Sequence, residues 1–375
     1  MKTIGHIILL TSILAVMACK DTTGANRDTV ATNIAHVSQK LETVFTDSIY
    51  QFTGVAVANN DRLFVNYPYW LDAHQYSVVE VKQGKAVPYP NETWNSFKKG
   101  EDGQNKFVCV QAVYTDDQNY LWIVDAAGIG LGPVYQRSNK VIRINLATDT
   151  IERIYRFPEE IINNHVYLND IRVDNQNGFA YMTDSSSGGL VVLNINSGES
   201  RYVLENSPAV LSDKNYTFSP LGKELTTGDG NPLKVNSDGI ALSPDREWLY
   251  FKPLTDAKLY RISTSVLRDF ETPKNTIEES VVDLGTFTTT DGMIFDDKGN
   301  LYFGDLEQHS ILRITPDLQM QELVQDKDQL IWPDSYSISK DGYLYITASQ
   351  IQWMPWFHQG ENKTKIPYKV LRMKL

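Results

Sequence analysis

One pattern recurs six times along this 375-residue chain, and it predicts an all-β fold, a six-bladed β-propeller in a single domain. Each copy is an alternating segment, a turn rich in Asp, Asn and Gly, and a second strand with an aromatic residue at its centre. Those aromatics, Phe64, Trp122, Tyr181, Tyr250, Tyr302 and Tyr345, stand roughly 43 to 69 residues apart, the spacing of a four-stranded unit plus its loops. Twenty Tyr, fourteen Phe and seven Trp favour strands, and no stretch sustains a helical apolar period.

Before the repeats, residues 1–18 read as a signal peptide. Lys2 supplies the positive end, Ile7 to Val16 the apolar run, and Val16-Met17-Ala18-Cys19 a small-residue cleavage site ending in cysteine. This is the pattern of a bacterial lipoprotein, with Cys19 as the lipidated residue; a plain secretory signal is the alternative. An apolar run of about ten residues is too short to cross ~30 Å of hydrocarbon as a helix. The expected location is the cell envelope, periplasmic or surface side, with membrane contact through the N-terminal lipid only, or else secretion. Residues 19–40 are polar and read as a flexible tether, with the propeller over 41–375. His36 to Val44 is a candidate short helix with sparse apolar positions. With Cys19 acylated only Cys109 remains, so no internal disulfide forms, and its neighbours Phe107, Val108 and Val110 mark a buried, inert thiol.

The six copies pair Thr53 to Val57 with Leu63 to Val65, Gln111 to Tyr114 with Leu121 to Val124, and Asn169 to Val173 with Phe179 to Met182. They continue with Asp238 to Leu242 and Trp248 to Phe251, Asp291 to Phe295 and Leu301 to Phe303, and Asp334 to Ile338 and Leu344 to Ile346. Third strands follow at Lys140 to Ile144, Gly189 to Leu193, Lys258 to Ile262 and Ser310 to Ile314. A lone four-stranded sheet leaves both faces bare, so neighbouring blades must cover them and the ring must close. The strand-like ends, Ser48 to Val57 and Tyr368 to Met373, are expected to meet in one blade. Ser207 to Val235, rich in Gly, Pro and Asn, reads as an insertion beside one mouth of the channel.

In every copy one polar residue precedes the alternating segment by the same offset: Thr53, Gln111, Asn169, Asp238, Asp291 and Asp334. If these segments are innermost, the six form a ring at one channel mouth. Taken singly, each Asp or Asn is explained by turn chemistry; the shared slot argues for convergence. Three carboxylates held together repel unless neutralised. Calcium held by Asn169, Asp238 and Asp291, with Asp334 as a further ligand, is one solution. Protonation is another, and a cationic small-molecule ligand a third. Asp170 is the candidate base and His165, four residues before Asn169, a candidate acid or base. Thr53, Gln111, Asn169 and Asp334 are expected to line the ligand pocket. Tyr336, Trp353 and Trp356 belong to an aromatic segment with Trp332, Phe357 and His358 that either roofs it or packs between blades.

The formal net charge of −11 becomes −12 once Lys2 leaves, which argues against a nucleic-acid groove or an anionic-membrane patch. No Gly-x-Ser-x-Gly elbow, phosphate loop or zinc-type His spacing is present. The acceptor triplets at Asn91, Asn215 and Asn362 are incidental in a bacterial lipoprotein. Oligomeric state is not legible.

Several segments resemble the Yellow/major royal jelly family: Asp170-Ile171-Arg172-Val173-Asp174 leading to Phe179-Ala180-Tyr181-Met182-Thr183-Asp184, Asp238-Gly239-Ile240-Ala241-Leu242-Ser243-Pro244, and Leu249-Tyr250-Phe251-Lys252-Pro253-Leu254. So do Ile262 to Leu267, with Ser263 where the family has proline, and Trp332-Pro333-Asp334-Ser335-Tyr336. The resemblance runs from about Thr53 to about Gln352 and implies six blades. Some members of that family bind small aromatic amines in the central cavity or are credited with dopachrome conversion; their cysteine pairs are absent here. A more distant likeness, to calcium-dependent lactonases of the gluconolactonase type, rests on Asn169-Asp170, Asp238-Gly239 and Asp291-Gly292, with Thr53 where those enzymes place a glutamate. The expected function is binding of a small molecule at the channel mouth. The alternatives are a metal-dependent lactonase or isomerase and a surface interaction module.

Overall fold

The computed structural model describes Ala35–His36 and residues 39–375; the signal peptide and Cys19 lie outside the described residues. Six antiparallel blades of four strands stand in a ring, one of them extended by a fifth, two-residue parallel strand, Ala35–His36. Blade 1 is Gly54–Val57, Leu63–Asn66, Val78–Lys82 and Lys85–Pro88; blade 2 is Val110–Thr115, Tyr120–Asp125, Lys140–Asn145 and Thr150–Tyr155. Blade 3 is Leu168–Asp174, Phe179–Asp184, Gly189–Asn194 and Ser200–Val203; blade 4 is Ser237–Leu242, Trp248–Pro253, Lys258–Ser263 and Val282–Thr286. Blade 5 is Met293–Phe295, Leu301–Asp305, Ser310–Ile314 and Met320–Gln325; blade 6 is Pro333–Ile338, Tyr343–Ala348, Tyr368–Lys374 and Glu42–Asp47. The six expected inner strands and four expected third strands are all present. Each innermost strand packs on those of both neighbours.

Two expectations at the N-terminus need correction. The strand that closes the ring is Glu42–Asp47, paired antiparallel with Tyr368–Lys374, and Gly54–Val57 opens blade 1 instead. The stretch His36 to Val44 forms no helix: Ala35–His36 pairs in parallel with Met320–Gln325, and Glu42 already lies in the closing strand. The strand shifts register between Thr43 and Phe45, and Phe45 is the residue turned inward.

A separate apolar cluster fills each seam between blades, and the aromatic at the centre of each second strand explains why. Phe64 packs with Leu121 and Ile123 of blade 2, and Trp122 with Ile171 and Met182 of blade 3. Tyr181 meets Ile240 and Phe251 of blade 4, and half-buried Tyr250 lies against Met293 and Phe303 of blade 5. Tyr302 meets Tyr336 and Ile346 of blade 6, and Tyr345 meets Val55 and Val65 of blade 1. Each blade thus sends one ring into the next, and the recurrence read along the chain is the recurrence of seams.

Closure depends on the last seam. Phe45, 5% exposed, packs its ring 5.8 Å from that of Phe52, tilted by 33°, in the cluster joining blades 6 and 1. Phe45→Ala is expected to lower unfolding free energy by about 3 kcal/mol, measured by urea denaturation; a loss below about 0.5 kcal/mol would show that the ring closes without this strand.

Candidate functional site

The inner strands are irregular where the polar ring begins. Strand pairing skips a step at Gln111 in blade 2, at Asn169 and Asp170 in blade 3, at Asp238 in blade 4, and at Asp334 and Ser335 in blade 6. These are β-bulges, which release a residue from the ladder and re-aim its side chain. Thr53 and Asp291 stand just before the inner strands of blades 1 and 5. All six expected ring positions therefore stand at the entry level of the inner strands, four of them within bulges.

Clasps between blades hold that level. The Asn66 amide of blade 1 donates to the carbonyls of Val110 and Gln111 in blade 2, both at 3.0 Å. The Thr183 hydroxyl of blade 3 donates to the Asp238 carbonyl of blade 4 at 2.8 Å, and that of Thr347 in blade 6 donates to the Thr53 carbonyl. The Gly292 N–H donates to the Asp334 carbonyl at 2.8 Å. A β-carbon at Gly292 would lie 2.7 Å from that carbonyl, so only glycine permits the approach.

Side chains converge on one side of the ring. The Asn169 amide donates to Asp238 Oδ1 at 2.7 Å, and the Asp238 carboxyl meets that of Asp291. The Trp332 indole N–H donates to Asp291 Oδ2 at 2.8 Å. Asp334 Oδ2 is buried without a partner, while the Ser349 hydroxyl donates to the Trp332 carbonyl at 3.3 Å. Burial and then the adjacent Asp291 carboxyl hold Asp238 well above the usual carboxylate range. Burial pushes Asp291 up to about 6, against the pull of Asp238 and the Trp332 N–H. Asp334 is also raised, by burial and then by Asp291. Within the pair, Asp238 is the residue that keeps a proton and Asp291 the one that releases it.

Behind the pair lies Lys252, fully buried, its Nζ donating to the carbonyls of Pro253 and Asp256 at 2.6 and 2.7 Å. Burial lowers it to about 8, while Asp256, Asp238 and Asp291 draw it upward. Its charge favours the ionised form of Asp291.

Other expected residues take structural places. The Thr53 hydroxyl accepts from Asn66 at 3.1 Å and faces the Gln111 carbonyl at 3.4 Å. Gln111 Oε1 accepts from Tyr167, whose hydroxyl in turn accepts from the Trp70 indole, both at 3.0 Å. Tyr336 is buried, and its hydroxyl donates to the Pro333 carbonyl at 3.2 Å, which makes it a seam residue. His165 is exposed on the turn entering blade 3, with its N–H on Asn163 and its carbonyl taking the Ser187 hydroxyl. Cys109 is buried, its thiol pushed up to about 12 by desolvation, as expected of an inert sulfur.

The aromatic segment folds as two short 3₁₀ turns, Ile351–Trp353 and Pro355–Phe357. Trp356 lies 5.6 Å from Trp70, and Trp353 stacks 5.6 Å from His358. The insertion supplies Phe218 and Leu225, which pack with Trp332, Ile351 and Phe357. Trp332 adopts φ of 57°, a left-handed conformation that costs a bulky residue energy. What the fold gains there is the indole bond to Asp291.

At the floor, Arg172 crosses the channel from blade 3. Its Nη2 donates to the Met293 carbonyl of blade 5 at 2.6 Å, its guanidinium lies 5.2 Å from the Tyr114 ring of blade 2, and it pairs with Asp170 at 2.9 Å. Asp170 is therefore ion-paired where a general base needs a free carboxylate. Beyond Arg172 the far mouth opens as a funnel lined by Tyr114, Arg246, Asp296 and Ser339 among others.

The family model described as "Major royal jelly protein" matches residues 108–374. The chain belongs to this family. Protein yellow of Drosophila melanogaster is 25% identical over 327 residues, and that of Drosophila yakuba 24% over 328, each match covering 78% of this chain. The chain spans 57% of the length of those two relatives. Among solved structures, a gluconolactonase from Xanthomonas campestris superposes with a TM-score of 0.54 at 12% identity, covering 90% of this chain and 89% of that one. A luciferin-regenerating enzyme gives 0.54 at 13% identity, covering 90% and 96%. At these identities the structural likeness shows the propeller fold of this royal jelly family member.

Three residues around the site carried no role in the sequence reading: Arg172, Lys252 and Trp332 as a donor. Arg172 was legible in principle, two positions after Asp170 and so on the same strand face. Lys252 and Trp332 approach only through neighbouring blades.

The raised carboxyls fix the sign of a pH effect. Asp291 holds its proton to higher pH in the folded chain than in the unfolded one, so it favours folding below about 4 and that contribution is lost as pH rises through about 6. Stability of the ligand-free protein is expected to fall by on the order of 3 kcal/mol from this group across that window. Trp332→Phe, which removes the donor from Asp291, is expected to move the decline to higher pH. Chemical denaturation from pH 4 to 7.5 measures both, and a stability rising with pH in the native protein would contradict the assignment.

Proposed function

We propose that this family member binds a small cationic molecule in the acidic cup, with its positive charge against Asp238 and Asp291. The observation that carries the reading is the contact between two buried carboxyls, with Asp334 also desolvated beside them. Buried like charges require a compensating cation or a proton, and a ligand amine supplies the cation. Asn169 orients Asp238, the Trp332 N–H orients Asp291, and Trp356, 5.6 Å from Trp70, supplies an aromatic ring of the kind a flat or cationic group stacks on. The resemblance to a family some of whose members bind small aromatic amines supports this ligand class. Lipid anchoring through Cys19 at the cell envelope is proposed from the leader pattern alone.

A second reading is a calcium-dependent lactonase, favoured by the oxygen-only donors of Asn169, Asp238 and Asp291. These donors fit a hard cation in type, with the unpartnered Asp334 Oδ2 beside them. Among the described residues, however, no three His, Cys, Asp or Glu side chains gather as a metal group, and the Thr53 hydroxyl is already bonded to Asn66. Calcium would polarise a substrate carbonyl when bound. On this chain Asn169 and the acid pair would hold the ion, while Asp170 would have to leave Arg172 before accepting a proton.

Calorimetric titration with calcium and then with phenylethylamine separates the readings. Amine affinity is expected to rise about tenfold or more between pH 5 and 7, because the ligand competes with the proton on Asp291. Asp238→Asn with Asp291→Asn is expected to abolish it. A calcium-dependent rise in Tm that disappears in Asp238→Ala/Asp291→Ala, with no amine binding, would select the metal reading instead.

A further inference from the structure

The far funnel, on the other side of Arg172 from the acidic cup, is a cavity of about 780 Å³. Small-molecule sites run from roughly 300 to 1,000 Å³, so the space suits such an occupant. The closing residues of the inner strands make its throat. Leu242, Ile294, Phe295 and Ile338 line it and are only half-buried. Apolar side chains left partly bare inside a concavity favour an apolar body against them.

One level of this throat carries a charge. Three positions after the polar ring, the inner strands hold Ala56, Tyr114, Arg172, Ala241, Ile294 and Ser337, each paired with the central aromatic of its second strand. Arg172 is the single charged side chain of the six, and it too lines the funnel while 5% exposed. The chain fills only part of its donor capacity. Nη1 and Nη2 donate to the carbonyls of Ile171 and Met293, each at 2.6 Å, and Asp170 pairs with Nη2, while Nε is buried without a partner. A guanidinium offers five N–H donors in a fork that matches a carboxylate, and a buried donor without an acceptor is costly.

The rim does not decide the sign of the ligand. Asp116 accepts from the Trp122 indole, Asp296 from Asn300 and Tyr302, and Asp117 takes Arg246. Among the described lining residues, Lys298 and Lys340 on one side of the balance and Asp297 and the Leu375 terminus on the other are exposed and make no ion pair. These free charges cancel, so selection falls to the throat, where Arg172 is alone.

We propose that the funnel is a second ligand site, separate from the cup, for a small organic carboxylate with an apolar body. The carboxylate accepts from the Arg172 guanidinium, and the body lies along Leu242, Ile294 and Ile338 with the Tyr114 ring beside the charge. An amine is repelled at the throat, and inorganic phosphate leaves the apolar walls bare.

The test is calorimetry on the full chain at pH 7 and low salt, with 3-phenylpropionate and its neutral amide as probes. The carboxylate is expected to bind about tenfold tighter than the amide, the gain of a charge-assisted bond. In Arg172→Met that ratio is expected to fall toward one, with thermal unfolding confirming a folded variant; Arg172→Lys, which keeps the charge without the fork, retains part of it. Leu242→Asp, a half-buried position at the end of the inner strand of the adjacent blade, is the second variant and is expected to remove the preference by competing for Arg172. Carboxylate binding is expected to persist in Asp238→Asn/Asp291→Asn, so failure of the cup as an amine site leaves this site standing. No binding of the carboxylate, equal affinities of the two probes, a ratio that survives Arg172→Met or Leu242→Asp, or loss of carboxylate binding in the cup variant would each overturn it.

Discussion

The site exists because blades are clasped to one another at their bulges. An inner strand that continued its ladder would turn successive side chains alternately and spend its backbone groups within the blade. At Gln111, Asp238 and Asp334 the ladder skips, and the released carbonyls are taken by Asn66, Thr183 and Gly292 from the blade before. Each clasp satisfies backbone polarity that burial would otherwise penalise. It also fixes the height at which the next polar side chain enters the channel. Ring closure by Glu42–Asp47 carries the same constraint around to Thr53, whose carbonyl is held by Thr347.

This arrangement places acids where water is scarce and then differentiates them. Asp238 and Asp291 occupy the same position in adjacent blades, yet their surroundings differ. Asp291 receives an indole N–H and faces a buried ammonium, whereas Asp238 receives the Asn169 amide and the repulsion of its partner. The pair is therefore polarised by the fold itself, with Asp238 inclined to keep its proton and Asp291 to release it. A strained Trp332 and a desolvated Lys252 are the structural cost of that asymmetry.

Much of the fold was legible because each blade repeats its signals locally. The aromatic of the second strand and the polar residue before the first recur at regular offsets, and both map onto seams and ring. The closing strand Glu42–Asp47 is hard to read because its only apolar residues, Val44 and Phe45, are adjacent and a register shift replaces the alternation that marks other strands. Bulges were not legible, since Gln111 and Asp238 read as ordinary strand openings and only pairing partners reveal the skipped step. Of the site, the level of the six residues could be read, but not which would face one another. Thr53 and Tyr336 spend their polar atoms on neighbouring chain, whereas Asn169, Asp238 and Asp291 meet through contacts some fifty or more residues apart in sequence.

Arg172 gives the channel a direction. Its guanidinium, anchored on the Met293 carbonyl and against Tyr114, obstructs the passage between the cup and the far funnel. The acidic residues and the funnel lined by Tyr114, Arg246, Asp296 and Ser339 are thus kept apart, two polar surfaces of one propeller that share a single arginine as their partition.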